Sequence, residues 1–279
     1  MPTEETKETK EKKKKGGVGA WIYRIIILAL VGVMGFSGYN IYKIYHEYEV
    51  GKVIYDDLAE DVGAGKKTGT DNTRLHLDWD KLKETNKDVC AWIRCKDTQL
   101  NYPIVEGKAW PDRDRFHDYY LARTITGEWN GKGTIFCDYL CEDPFNEFLT
   151  ITYGHRMKDG SMYKMIVEYF GDSGIDFYEK HPTMELYTQA RNYDIEIFAC
   201  ARVYSGDMEI YKFDFVDANG DEDPAQKDAY IRRVLSINEL KADTGLTVTA
   251  SDKLILMSTC TTNLDENRDV VWGRLVPVD

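Results

Sequence analysis

Leu254-Ile255-Leu256-Met257-Ser258-Thr259-Cys260 is an apolar run that ends in a thiol, and after a short polar turn Arg268-Asp269-Val270-Val271-Trp272 opens a second β-prone run on a guanidinium. Two strands joined in this order form a hairpin whose rim carries Cys260 beside Arg268, a nucleophile next to a group that can hold a carbonyl oxygen as charge builds on it. Arg274 shares a strand face with Arg268. Six residues of extended chain put it about 20 Å further on, so only Arg268 can sit by the thiol. Taken alone, a cysteine at a strand end is more often structural than catalytic, and Arg268 has the alternative of a surface pair with Asp265 or Glu266.

A nucleophilic thiol needs a proton carrier. The histidines are His46, His76, His117, His155 and His181. His117 sits in a charged loop with Asp112, Arg113, Asp114, Arg115 and Asp118, and His181 precedes Pro182 as a turn residue. His155 differs: Ile151-Thr152-Tyr153-Gly154-His155 reads as a strand, then a glycine that permits close backbone approach, then the imidazole. A hydrogen-bonded surface histidine fits the same local pattern.

Other chemistries have weaker signals. Cys90/Cys95 and Cys137/Cys141 are close in sequence, but no histidine stands at zinc-ligand spacing from them, and small buried side chains are the plainer reading. Asp217 to Asp223, with Asp228 at the twelfth place, spaces oxygens as a calcium loop does. The sixth position is Glu222 where the sharp turn requires glycine, which favours a solvated acidic loop.

The elements that must position these groups follow from pattern. Residues 1–20 are Lys- and Glu-rich, then glycine-rich, and read as a cytoplasmic basic tail. Trp21 to Tyr42 is almost continuously apolar with Arg24 as its charge and Trp21, Tyr23, Tyr39 and Tyr42 where interfacial aromatics belong; this predicts a membrane-spanning helix with the N-terminus inside. A cleaved signal peptide is the competing reading, disfavoured by the length of the run and the lack of a small-residue cleavage site. Residues 43–74 read as a juxtamembrane helix and linker, and 75–279 as the compact domain. The charge supports the division: residues 1–24 carry +3, leaving −15 on the rest of a chain whose total is −12. So acidic a domain lacks the basic face that nucleic acid requires.

After a short helix opened by Asp78, strands are expected near 89–94, 99–105, 133–139, 148–154, 184–190, 193–204, 245–249, 252–259 and 268–277. Short alternating runs between Gly, Pro, Asn and Asp predict a mainly β domain, a barrel or sandwich. Helices are expected over Ser161 to Phe170 and Pro224 to Ile237. The second has proline in its first turn and an apolar stripe of Ala229, Tyr230, Val234 and Ile237.

Tyr153-Gly154-His155, Ser258-Thr259-Cys260 and Arg268, behind an N-terminal anchor, resemble the class B sortases. Ala91-Trp92-Ile93, Asn101-Tyr102-Pro103-Ile104-Val105, Tyr119-Tyr120-Leu121, Gly133-Thr134-Ile135-Phe136 and Gly154-His155-Arg156-Met157 carry the same likeness across residues 75–279. The sequence departs from the family pattern at Leu256-Met257 and Thr261-Thr262. The resemblance implies a closed eight-stranded β-barrel with peripheral helices, and a membrane-anchored cysteine transpeptidase that needs no cofactor. It makes Cys260 the nucleophile, His155 the acid/base and Arg268 the carbonyl and oxyanion ligand. Ser258, Thr259, Tyr153 and Tyr230 become substrate contacts. The implied partners are a sorting signal of the Asn-Pro-x-Thr type and an amine acceptor, either a peptidoglycan precursor or a pilin lysine. A thiol hydrolase or L,D-transpeptidase-like wall enzyme also needs Cys and His, but the chain lacks a His-Gly followed by Ser-x-Gly-Cys. A tethered binding module has no use for Cys, His and Arg at strand ends.

Overall fold

The structure, a computed structural model, describes residues 18–65, 73–107, 119–260 and 266–278, with Val18, Ala20 and Cys260 described by backbone alone. His117 and Thr261-Thr262 lie outside the described residues. Two units emerge, Met1–His46 and Glu47–Asp279. The elements are α1 (Val18–Asp61), α2 (Trp79–Thr85), β1 (Val89–Arg94), β2 (Asn101–Glu106), β3 (Ile135–Cys137), β4 (Leu149–Tyr153), α3 (Ser173–Lys180), β5 (Thr183–Thr188), β6 (Asn192–Tyr204), α4 (Pro224–Ser236), β7 (Lys253–Cys260) and β8 (Asn267–Val278).

In the first unit, α1 is apolar and exposed, with Trp21, Ile22, Ile25 and Leu28 all open. Its length and an 18-residue stretch with a mean hydropathy of 1.8 make it a candidate membrane span by those criteria alone. The second unit takes in the later part of α1, the segment that the sequence assigns to a juxtamembrane helix. Tyr55, Leu58, Ala59 and Val62 are buried in the core there. The Tyr55 hydroxyl lies 2.6 Å from the Gly133 carbonyl and 2.8 Å from Thr134 Oγ1, so a buried polar tip is satisfied while its ring adds apolar burial.

The eight strands close in the order β1-β2-β3-β4-β7-β8-β6-β5. β2/β3 and β4/β7 are parallel; the other neighbours are antiparallel. This is the expected closed barrel, and closure leaves no unpaired sheet edge. The apolar run Leu254 to Met257 does not alternate because both of its faces are covered. Ile255 and Met257 join the barrel interior, while Leu254 and Leu256 pack outward with Trp272, Val234 and Tyr230 under α4. Fully burying each such side chain is worth about 1.5–3 kcal/mol.

Three expectations change. Residues 245–249 form no strand: Gly245 has φ 62 and the Thr247 carbonyl accepts from the Arg274 guanidinium, so that acceptor goes to a side chain rather than a ladder. The helix expected at 161–170 is a 3₁₀ segment, Tyr163–Tyr169. An unexpected helix, α3, follows it; Gly171 and Gly174 give that segment the look of a turn.

Candidate functional site

The parallel pairing of β4 with β7 sets Tyr153 opposite Ser258, and the Gly154 N–H donates to the Ser258 carbonyl at 3.2 Å. His155 therefore leaves β4 at the rim where β7 ends. On the other side of β7, Cys260 pairs with Arg268 of β8, and directly opposed residues in an antiparallel pair have Cα atoms about 4.5–5.5 Å apart. Register alone thus brings His155, Cys260 and Arg268 to one end of the barrel.

Gly154 is required by this approach. A Cβ there would lie 2.7 Å from Cδ2 of Tyr163, a fully buried ring whose hydroxyl bonds Thr152 Oγ1 at 2.8 Å. Gly154→Ala is expected to cost about 1–3 kcal/mol through overpacking, read as a lowered unfolding midpoint in thermal denaturation.

A cavity of about 480 Å³ opens at this rim. Its lining includes His155, Arg268, Ser258, Thr259 and Tyr153, together with Leu121, Asp138, Leu140, Met208, Tyr211 and Phe213. His155 Nε2 lies 2.6 Å from the Leu121 carbonyl; a carbonyl only accepts, so Nε2 carries the proton and Nδ1 is left to exchange one. Burial holds the imidazole below the ordinary histidine value, opposed by that hydrogen bond. Ser258 is buried with its hydroxyl 2.9 Å from the Tyr211 hydroxyl. Thr259 is buried and its Oγ1 has no hydrogen-bond partner among the described residues. The Tyr153 hydroxyl donates to Asp138 at 2.7 Å, and its ring stacks on Tyr211 at 6.2 Å. Burial and the adjacent carboxylate raise the Tyr153 phenol well above its usual value.

Tyr230 does not reach the cavity. It is 3% exposed, accepts from Trp272 Nε1 at 2.9 Å and donates to the Ile210 carbonyl at 3.1 Å. The stripe that contains Tyr230 faces the core, so Tyr230 supports the 205–215 connection from behind rather than touching what enters the cavity. Sequence reasoning missed Asp138 and Leu140, which follow β3, and Met208, Tyr211 and Phe213 from that connection. For the connection the signal was Tyr211-Lys212-Phe213-Asp214-Phe215, aromatics alternating with charges.

The remaining candidates lie elsewhere. His181 caps α3 and Arg274 pairs with Glu196. Cys90, Cys95, Cys137, Cys141 and Cys200 are free thiols. Burial pushes Cys95 and Cys200 up to about 12, which makes them inert at neutral pH. In the acidic loop, Asp217 accepts from the Asn219 and Asp221 amides at 2.8 and 3.1 Å, so its carboxylate is turned on its own backbone. Among the described residues, no group of three or more His, Cys, Asp or Glu side chains could hold a metal ion.

No family model matches the chain. Sortase B of Listeria monocytogenes is 31% identical over 235 residues, covering 83% of this chain and 87% of that protein. The chain belongs to the sortase B family. Sortase B of Staphylococcus aureus is 30% identical over 202 residues, 72% of this chain and 75% of the relative. Among solved structures, a Staphylococcus aureus sortase B–substrate complex superposes with a TM-score of 0.60 at 27% identity, over 72% of this chain and 85% of the other. A Bacillus anthracis protein similar to sortase B gives 0.64 at 27% identity, over 83% and 98%. This sortase is a cysteine transpeptidase built on the same closed barrel.

Proposed function

We propose that this sortase cleaves a C-terminal sorting signal after threonine, holds the released protein as a thioester on Cys260, and transfers it to an amine of the cell wall. The observation that carries the reading is the register at the rim, where β4 delivers His155 and the β7–β8 pair delivers Cys260 and Arg268 beside one cavity. Cys260 attacks the threonine carbonyl, and Arg268 holds the oxygen as it becomes an oxyanion. His155 Nδ1 gives a proton to the departing amine and later takes one from the incoming amine. The apolar wall of Leu121, Leu140, Met208 and Phe213 suits an extended peptide, and the Tyr153, Tyr211 and Ser258 hydroxyls suit a polar side chain such as asparagine. The apolar stretch of α1 anchors the enzyme with its N-terminus in the cytoplasm and the barrel outside.

With ordinary values near 6.5 and 8.5, the thiolate–imidazolium pair is about 1% of the enzyme between those values. A lowered His155 value reduces that fraction further and makes turnover slow. The sign is fixed by the same shift. The productive form is lost below the histidine pKa as the thiolate is protonated, so the acid limb of kcat/KM is expected to have its midpoint below 6.5. A pH profile with a peptide substrate checks it, and a midpoint above 6.5 contradicts it. The substrate is tested by incubating the full chain in lipid nanodiscs with Asn-Pro-x-Thr and Leu-Pro-x-Thr peptides plus wall-precursor amines or lysine-bearing pilin peptides. Selective cleavage of the first class and capture by the wall amine are expected; equal cleavage of both classes, or transfer to the lysine, overturns the respective assignment.

A further inference from the structure

Asp269 is a carboxylate with 1% exposure in a strand whose next three residues, Val270, Val271 and Trp272, are apolar and fully buried. Its Oδ1 accepts from Arg202 Nε at 2.8 Å and its Oδ2 from Arg156 Nη1 at 3.2 Å. Arg202 stands directly opposite it on β6, and Arg156 lies on the loop that follows β4. Each arm of the cluster adjoins the reactive rim: Arg156 follows His155, and Asp269 follows Arg268. Because side chains alternate along a strand, Asp269 points to the face opposite Arg268. The ion pairs therefore run behind the reactive groups rather than among them.

We infer that Arg156, Asp269 and Arg202 form a positioning clamp that fixes the distance between His155 and Arg268. This rests on the transpeptidase reading above. A buried carboxylate pays a desolvation penalty that its partners roughly offset, so an apolar side chain would serve stability as well. What two directional, charge-assisted bonds add is geometry. The β7–β8 pairing already sets Arg268 against Cys260, but His155 leaves β4 on a loop held by Gly154 N–H to Ser258 and by Tyr163 N–H to the His155 carbonyl, at 3.2 and 2.9 Å. The Arg156–Asp269 pair is the tie from that loop to β8, across the strand that bears Cys260. None of the three clamp residues lines the cavity, so their effect must pass through His155 and Arg268.

The test uses the full chain in lipid nanodiscs with an internally quenched Asn-Pro-x-Thr peptide, comparing Asp269→Asn, Arg156→Gln, Arg156→Lys, Arg202→Gln and the double variant Asp269→Asn/Arg156→Gln. A displaced acid/base group costs rate rather than affinity, so Asp269→Asn and Arg156→Gln are each expected to lower kcat about tenfold or more with KM within about twofold. Arg156→Lys recovers most of kcat, and the double variant is no worse than the worse single one because both remove the same tie. A kcat unchanged in folded variants, with only a lowered unfolding midpoint, overturns the clamp, as does multiplication of the two single effects. If Asp269→Asn fails to fold, Arg156→Gln, at a side chain one-third exposed, carries the same test. Should the parent fail to cleave any sorting peptide, the transpeptidase reading fails and the clamp is judged by NMR. The His155 Nε2–H resonance, protected by the Leu121 carbonyl, is then expected to exchange faster in Asp269→Asn, and an unchanged exchange rate overturns it.

Discussion

Replacing Cys260 by alanine is expected to reduce peptide cleavage and amine transfer on the order of 10⁴-fold or more, down to the uncatalysed background, while leaving the fold intact. The loss is large because in the proposed reaction the thiol sulfur is the atom that becomes covalently bonded; without it, His155 and Arg268 would have no nucleophile to serve. The fold is expected to survive because Cys260 is the last residue of β7, and its backbone pairing with Arg268 does not depend on the side chain. None of the five other described cysteines lines the cavity, and four of them are closed off chemically as well. Cys95, Cys137 and Cys200 are buried, and Cys141 is pushed well above the ordinary thiol value by burial and Glu147. Circular dichroism and thermal melting on the same sample separate lost chemistry from lost structure.

Arg268→Met is expected to lower kcat about 10²–10³-fold, the equivalent of about 2.7–4 kcal/mol, with KM little changed. The guanidinium lines the cavity and its Nη1 donates to its own neighbour's carbonyl, Asn267 O, at 2.9 Å, which steadies the head group without using all of its donors. A carbonyl in the ground state asks little of such a donor, whereas an oxyanion asks much, so the loss falls on kcat. Arg268→Lys keeps the charge but not the fork of donors, and it is expected to recover only part of the rate. Steady-state kinetics on the two variants check both statements; a rise in KM alone would make Arg268 a ground-state binding residue.

Much of this arrangement was legible in the chain. The apolar run ending at Cys260, the turn and Arg268 define the hairpin, and the glycine before His155 marks a strand end where backbones approach closely. Both signals are local. The missing parts depend on which side a surface faces after closure. Tyr230 lies on a genuine apolar stripe, but periodicity does not say whether the stripe meets the core or a ligand, and α4 turns it inward. The later half of α1 reads as a segment outside the domain because its apolar residues continue the apolar stretch before it; in the fold Tyr55 and Leu58 are core. Residues 245–249 alternate like a strand, yet an arginine side chain takes the acceptor that a ladder would need. Asp269 is silent in sequence, since a lone carboxylate in a strand gains meaning only when Arg156 and Arg202, far apart in the chain, converge on it.

Intact-mass analysis of the full chain trapped during turnover of an Asn-Pro-x-Thr peptide tests the central claim most directly. The account predicts an adduct equal to the peptide's N-terminal fragment, mapped to the Cys260 peptide, released by hydroxylamine and absent from Cys260→Ala. Cleavage without such an adduct, or an adduct that persists in Cys260→Ala, would contradict it.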